Sequence, residues 1–105
     1  MTTNSAQQLI YQAALLLEAE EFDQAVSVLE DAIDLATTAD RKVELIQARS
    51  LMGEILLNIE REGDAAEEFK SVLDLSDSDD VDSDQVREEV ATAHHWLEEL
   101  AHPEN

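Results

Sequence analysis

An all-α fold of five helices, two antiparallel pairs followed by a capping helix, is predicted by three observations. Apolar residues recur at spacings of three and four along most of the 105-residue chain, the mark of helices with one buried stripe. No segment alternates with period two over the length of a strand. Two glycines, one proline and no cysteine leave little means of making sheet turns, and they exclude disulfide scaffolds, thiolate zinc sites, cysteine nucleophiles and glycine-rich phosphate loops.

The first helix runs from about Ser5 to Ala19 on Leu9, Ala13, Leu16 and Leu17, with Ser5 and Gln8 spaced as a capping box. After Glu20-Glu21-Phe22 the second spans about Asp23 to Ala36, with Ala25, Val28, Leu29, Ala32, Ile33 and Leu35 apolar. Asp23 suits its positive N-terminal end. Thr37-Thr38-Ala39-Asp40 reads as a linker with cap candidates in Thr38 and Asp40. The third helix, about Arg41 to Glu60, is apolar on more than one face through Val43, Ile46, Leu51, Met52, Ile55, Leu56 and Ile59, so it belongs in the middle. Gly63 is expected to make the next turn, and Asp64 to Leu75 a fourth helix through Ala65, Phe69, Val72 and Leu73. Residues 76–84, Ser-Asp-Ser-Asp-Asp-Val-Asp-Ser-Asp, read as an acidic loop. Ser83 or Asp84 is placed to cap a fifth helix, about Gln85 to Ala101, with Pro103 just beyond it.

Shifting the sequence by forty residues lays it on itself. Ala13 falls on Gly53 and Ala93, Leu16 on Leu56 and Trp96, and Leu17 on Leu57 and Leu97. Ala25 falls on Ala65, Leu29 on Phe69, Ala32 on Val72, Ile33 on Leu73 and Leu35 on Leu75. Small residues at helix crossings permit close approach and large ones fill the groove between units. On Ala13, Leu16, Ala25, Leu29 and Ala32, then Gly53, Leu56, Ala65, Phe69 and Val72, then Ala93 and Trp96, the chain resembles tetratricopeptide repeats. The usual unit there is about 34 residues. The forty-residue period, with the excess in the Thr37–Lys42 connection and the acidic loop, resembles the longer-repeat branch. Leu9 and Arg49 stand where that family often has tryptophan, and Thr37 and Asp77 where it has proline.

The resemblance implies one domain built as a right-handed superhelix: repeat 1 over about 5–36, repeat 2 over about 40–75, the loop 76–84 and a capping helix over about 85–101. It also implies a concave groove lined by the first helix of each unit, where a peptide docks. The matching positions are Gln7, Ile10, Ala14, Leu17 and Glu18, then Gln47, Ser50, Glu54, Leu57 and Asn58, then Arg87, Val90, His94, Leu97 and Glu98. Ile10, Ala14, Leu17, Ser50, Glu54, Leu57, Asn58, Arg87 and His94 are the candidate partner contacts. Relatives that hold a C-terminal carboxylate use a clamp of Lys, Arg and Asn. Only Arg87 is basic here, so a carboxylate ligand is not expected. The mixture of Leu and Ile with Glu suits an amphipathic or basic peptide. Equally, Ile10, Leu17 and Leu57 are accounted for by packing in a tight bundle, since apolar helix stripes are core by default. Val86, Val90 and Leu97 read as an apolar outer face on the fifth helix that a homodimer would use.

The charge is −20, from 26 acidic against 6 basic residues. It argues against direct contact with nucleic acid or anionic membranes and allows a basic partner. An acidic decoy for basic proteins, mimicking nucleic acid, is the alternative function. A third reading is an organism with a salty cytoplasm, where carboxylates keep proteins hydrated. Met1-Thr-Thr-Asn-Ser5 has neither a basic nor an apolar run and no 18-residue apolar stretch occurs, so a cytoplasmic protein is expected.

No catalytic residue, cofactor or metal is expected. His94 and His95 point about 100° apart on a helix and lack a third ligand. A calcium loop begun at Asp77 has Asp79 and Glu88 in place, but Val81 where a ligand belongs and Asp82 where glycine is needed. Diffuse cation condensation on the loop and phosphorylation of Ser76, Ser78 or Ser83 are compatible with its composition. The glutamates read as solvated faces, not as a carboxylate pair whose pKa values burial has separated.

Overall fold

A computed structural model of the protein describes residues 5–102, all of whose regular elements are helical. Five α-helices follow in order: α1 Ala6–Glu18, α2 Phe22–Thr38, α3 Lys42–Asn58, α4 Glu62–Ser76 and α5 Arg87–Ala101, with a 3₁₀ turn over Ser83–Val86. Consecutive helices lie antiparallel against one another, and α3 touches all four others. The central position of α3 follows from its sequence: Ile46, Ala48, Met52, Gly53, Ile55 and Leu56 are buried on several sides of the same helix. The core is one cluster, with Phe69, Leu29, Ile46, Ile55, Val72 and Val86 as its largest fully buried side chains.

The ends of the helices are less local in origin. Only α1 has the anticipated capping box: Gln8 N–H donates to Ser5 Oγ at 3.2 Å, and Ser5 N–H donates to Gln8 Oε1 at 3.2 Å. Three inter-helix turns repeat every twenty residues, half the period seen in the side chains. In each, a residue with positive φ closes the preceding helix: Glu20 at 61°, Asp40 at 56° and Glu60 at 63°. Glu21 N–H donates to Leu16 C=O and Glu20 N–H to Leu17 C=O, the paired bonds of a Schellman ending. The same pattern joins Arg41 to Ala36 and Asp40 to Thr37, then Arg61 to Leu56 and Glu60 to Leu57.

These turns correct three expectations. Thr37 and Thr38 belong to α2, so the linker shrinks to residues 39–41 and neither Thr38 nor Asp40 caps α3 through its side chain. Gly63 lies in the first turn of α4 and makes no turn of its own, because Glu60 supplies the left-handed residue. The forty-residue unit therefore spends its length on helix: α2 and α3 are 17 residues each.

The acidic segment is partly anchored. Val81 is buried and Val86 wholly so, Lys42 Nζ reaches Ser78 Oγ at 3.1 Å and Asp80 Oδ1 at 3.1 Å, and Ser78 also bonds Asp80. The Ser78 hydroxyl and then Lys42 hold the Asp80 carboxyl below its ordinary range. Asp82, and not the anticipated Ser83 or Asp84, caps the chain's return to helix by accepting from Asp84 N–H at 3.0 Å. Because the 3₁₀ turn intervenes, α5 begins at Arg87; Pro103 lies outside the described residues. The face of α5 that carries Val86, Val90 and Leu97 is not an outer one. Val86 and Ala93 are fully buried, while Val90 and Leu97 pack on the core and stay partly exposed.

Candidate functional site

α1 and α3 lie side by side, running the same way and in register at a shift of forty. Gln7 Nε2 donates to Gln47 Oε1 at 2.9 Å, joining equivalent positions of the two units. Together with α5 these helices leave an elongated groove of two hollows. The first, about 410 Å³, has Ile10, Ala14 and Leu51 as its apolar floor, Tyr11 and Thr92 at its sides, and Glu54, Glu88 and Glu89 as its carboxylates. The second, about 720 Å³, is walled by Leu17, Leu57, Trp96 and Leu100, with Glu54, Glu62 and Glu99 around it and Asn58 beside them. Glu54 lines both.

Seven of the nine anticipated contacts meet here: Ile10, Ala14, Ser50 and Glu54 around the first hollow, Leu17, Leu57 and Asn58 around the second. Ile10, Leu17 and Leu57 touch the core yet stay partly open, so the stripe is divided between packing and groove. Arg87 and His94 line neither hollow. Arg87 is exposed and its Nη2 pairs with Asp84 Oδ1 at 2.9 Å, while His94 faces solvent. The cause is the rotation of α5. Packing Val86, Val90, Ala93 and Leu97 inward turns Glu89, Thr92, Trp96 and Leu100 toward the groove.

Sequence reasoning missed nine lining residues: Tyr11 on α1, Leu51 on α3, Glu62 on α4, and Glu88, Glu89, Thr92, Trp96, Glu99 and Leu100 on α5. The stripe Val86-Val90-Ala93-Leu97, spaced four, three and four, was the signal that could have found those on α5, since it marks the buried face. Tyr11 is 68% exposed at the open side of α1 and carries no such mark.

The electrostatics of the groove have one sign. Five carboxylates border it and no lysine, arginine or histidine does. Burial between the helices raises the Glu54 carboxyl above its ordinary value. Four further cations are paired away from the groove: Arg41 with Glu44 at 2.7 Å, Arg49 with Glu68 at 3.0 Å, Lys42 with Asp80, and Arg61 with Asp64.

The histidines do not converge. His95 sets its ring edge against Trp96 at a centroid distance of 4.7 Å, and His102 lies 3.8 Å from Glu98. Among the described residues no three His, Asp or Glu side chains gather where they would hold a metal ion. No helix there is long and apolar enough to cross a membrane. What the arrangement offers chemically is a trough that is apolar along its floor and anionic along its rims, with a half-buried carboxylate at its centre. Compared with protein-family models, curated proteins and solved structures, the chain matches none of them.

Proposed function

We propose that the protein is an interaction module, similar to tetratricopeptide repeats, that takes a cationic amphipathic segment of a partner protein into the α1–α3–α5 groove. The observation that carries this reading is the combination of apolar floor and carboxylate rim in one open trough. Ile10, Leu17, Leu57 and Trp96 supply apolar surface that the core leaves partly exposed. Glu54, Glu62, Glu88, Glu89 and Glu99 supply the complementary charge for lysine or arginine.

Trp96 is the protein's one tryptophan and stands in the second hollow, so its emission reports on occupancy. Titration with cationic, uncharged and anionic amphipathic peptides is expected to shift that emission only for the cationic set. Leu17→Glu and Leu57→Glu should abolish the shift in proteins whose helical circular dichroism is intact. Binding that survives both substitutions would rule out the groove. Salt separates the reading from a charge-displaying decoy. Contacts made by apolar side chains persist at about 0.5 M salt, where the Debye length is only a few ångströms, whereas purely electrostatic attraction is lost.

A further inference from the structure

The two hollows repeat one another along the chain, and their spacing specifies a ligand. Ile10 and Leu17 on α1 are seven residues apart, as are Ser50 and Leu57 on α3 and Glu89 and Trp96 on α5. Seven residues of helix advance about 10.5 Å, so the hollows follow one another at that interval. Glu54 stands between them, four residues after Ser50 and three before Leu57. A helix laid along the groove advances by the same distance between its positions i and i+7, and it carries i+3 and i+4 midway on the same face.

We propose that the ligand is an amphipathic helix with a bulky apolar side chain at i and at i+7, one for each hollow, and a lysine or arginine at i+3 or i+4 that pairs with Glu54. This rests on the peptide-binding reading above. The apolar anchors follow from the floors, which are Ile10, Ala14 and Leu51 in one hollow and Leu17, Leu57 and Leu100 in the other. The central cation follows from the placement of Glu54. An apolar side chain laid over a carboxylate already half withdrawn from water would strip it further without compensation, whereas a cation replaces the lost hydration. Tyr11, Glu88 and Glu89 face the same space from the first hollow, and Glu62 and Glu99 from the second. All the carboxylates among them add to the attraction for a cation; Glu62, Glu88 and Glu99 are exposed and Glu89 lines the first hollow alone, so the central pairing belongs to Glu54, which lines both. Burial already raises the Glu54 carboxyl, and an approaching cation lowers it again, so binding releases a proton and tightens as the pH rises through its range.

The test uses the full chain and synthetic helical peptides of about 16 residues, long enough to hold a helix. Leu stands at i and i+7 and either Lys or Gln at i+4; a third peptide moves the second Leu to i+5. Affinity is read by calorimetry and by Trp96 emission. The Lys peptide should bind about tenfold or more tightly than either of the others. Glu54→Gln should remove that preference for Lys over Gln and leave the Gln peptide within about twofold of its wild-type affinity, a change too small for a lost charge pair. Glu67→Gln, the same change of charge on the exposed face of α4, should preserve the preference. Peptides that bind the wild type equally well with Lys or Gln, or with either anchor spacing, overturn this register while leaving a peptide-binding groove. Failure of every peptide to bind overturns the groove itself.

Discussion

Glu20, Asp40 and Glu60 each hold a left-handed backbone that costs a non-glycine residue about 1 kcal/mol or more. None is glycine, the residue that usually closes a Schellman ending. Replacing Glu20 or Glu60 by glycine removes the strain and adds back some disorder to the unfolded chain, so each should stabilise the protein by about 0.5 kcal/mol in urea unfolding. Asp40→Gly should gain less, because a short polar side chain tolerates this conformation better. Glu54 is strained electrostatically. A carboxyl whose folded pKa is raised contributes stability at pH below its unfolded value, ordinarily 4.5, and that contribution is lost as the pH rises through the folded value. Glu54→Gln should therefore be more stable than the wild type at pH 7, with the difference vanishing below about pH 4, where the wild-type carboxyl is itself neutral. Urea midpoints of both proteins across that pH range check it.

At the scale of the element, α3 and α4 are joined by a glycine and an aromatic that must be read together. A Cβ placed on Gly53 would lie 2.6 Å from Phe69 Cζ and 2.7 Å from Cε1, and Phe69 is completely buried. Forty residues earlier the same positions hold Ala13 and Leu29, a larger and a smaller partner. Helix propensity favours alanine over glycine by about 1 kcal/mol, but the overlap wins where the ring has nowhere to go. Gly53→Ala should destabilise by about 1–3 kcal/mol. The double variant Gly53→Ala, Phe69→Leu, which recreates the pair of the first unit, should be more stable than the two single effects sum to. Gly63 is the contrasting case: a Cβ there meets nothing within 4 Å, and its alanine variant should gain up to about 1 kcal/mol from propensity alone. The first of these contacts was legible in the alignment of the sequence with itself, since both residues recur at fixed places in the unit. The role of Gly63 was not, because the turn it resembles is made three residues earlier by Glu60 under the pull of the helices on either side.

The whole molecule carries its charge almost unneutralised. Five of the six Lys and Arg residues are already in ion pairs among the described residues, four of them with carboxylates within three residues or on the adjoining helix, while Asp and Glu number 26. Repulsion among the remaining carboxylates opposes the compact state. The urea midpoint should therefore rise as sodium chloride is raised from about 0.1 to about 1 M, over which the Debye length falls from about 10 to about 3 Å. Maximal stability in dilute buffer would count against a fold suited to a salty cytoplasm. The sequence by itself determined the number and order of the helices, the forty-residue unit, the central place of α3 and the excess of acidic charge, because apolar spacing and charge are local properties that folding does not alter. Only the tertiary structure decided which side of α5 faces α1 and α3. That choice is made by Val86, Val90, Ala93 and Leu97 seeking the core, and it replaced Arg87 and His94 by Glu89, Trp96 and Glu99 in the groove. It also decided how residues 76–86 lie, since Val81 and Val86 gain their meaning only from a core built by residues distant in sequence.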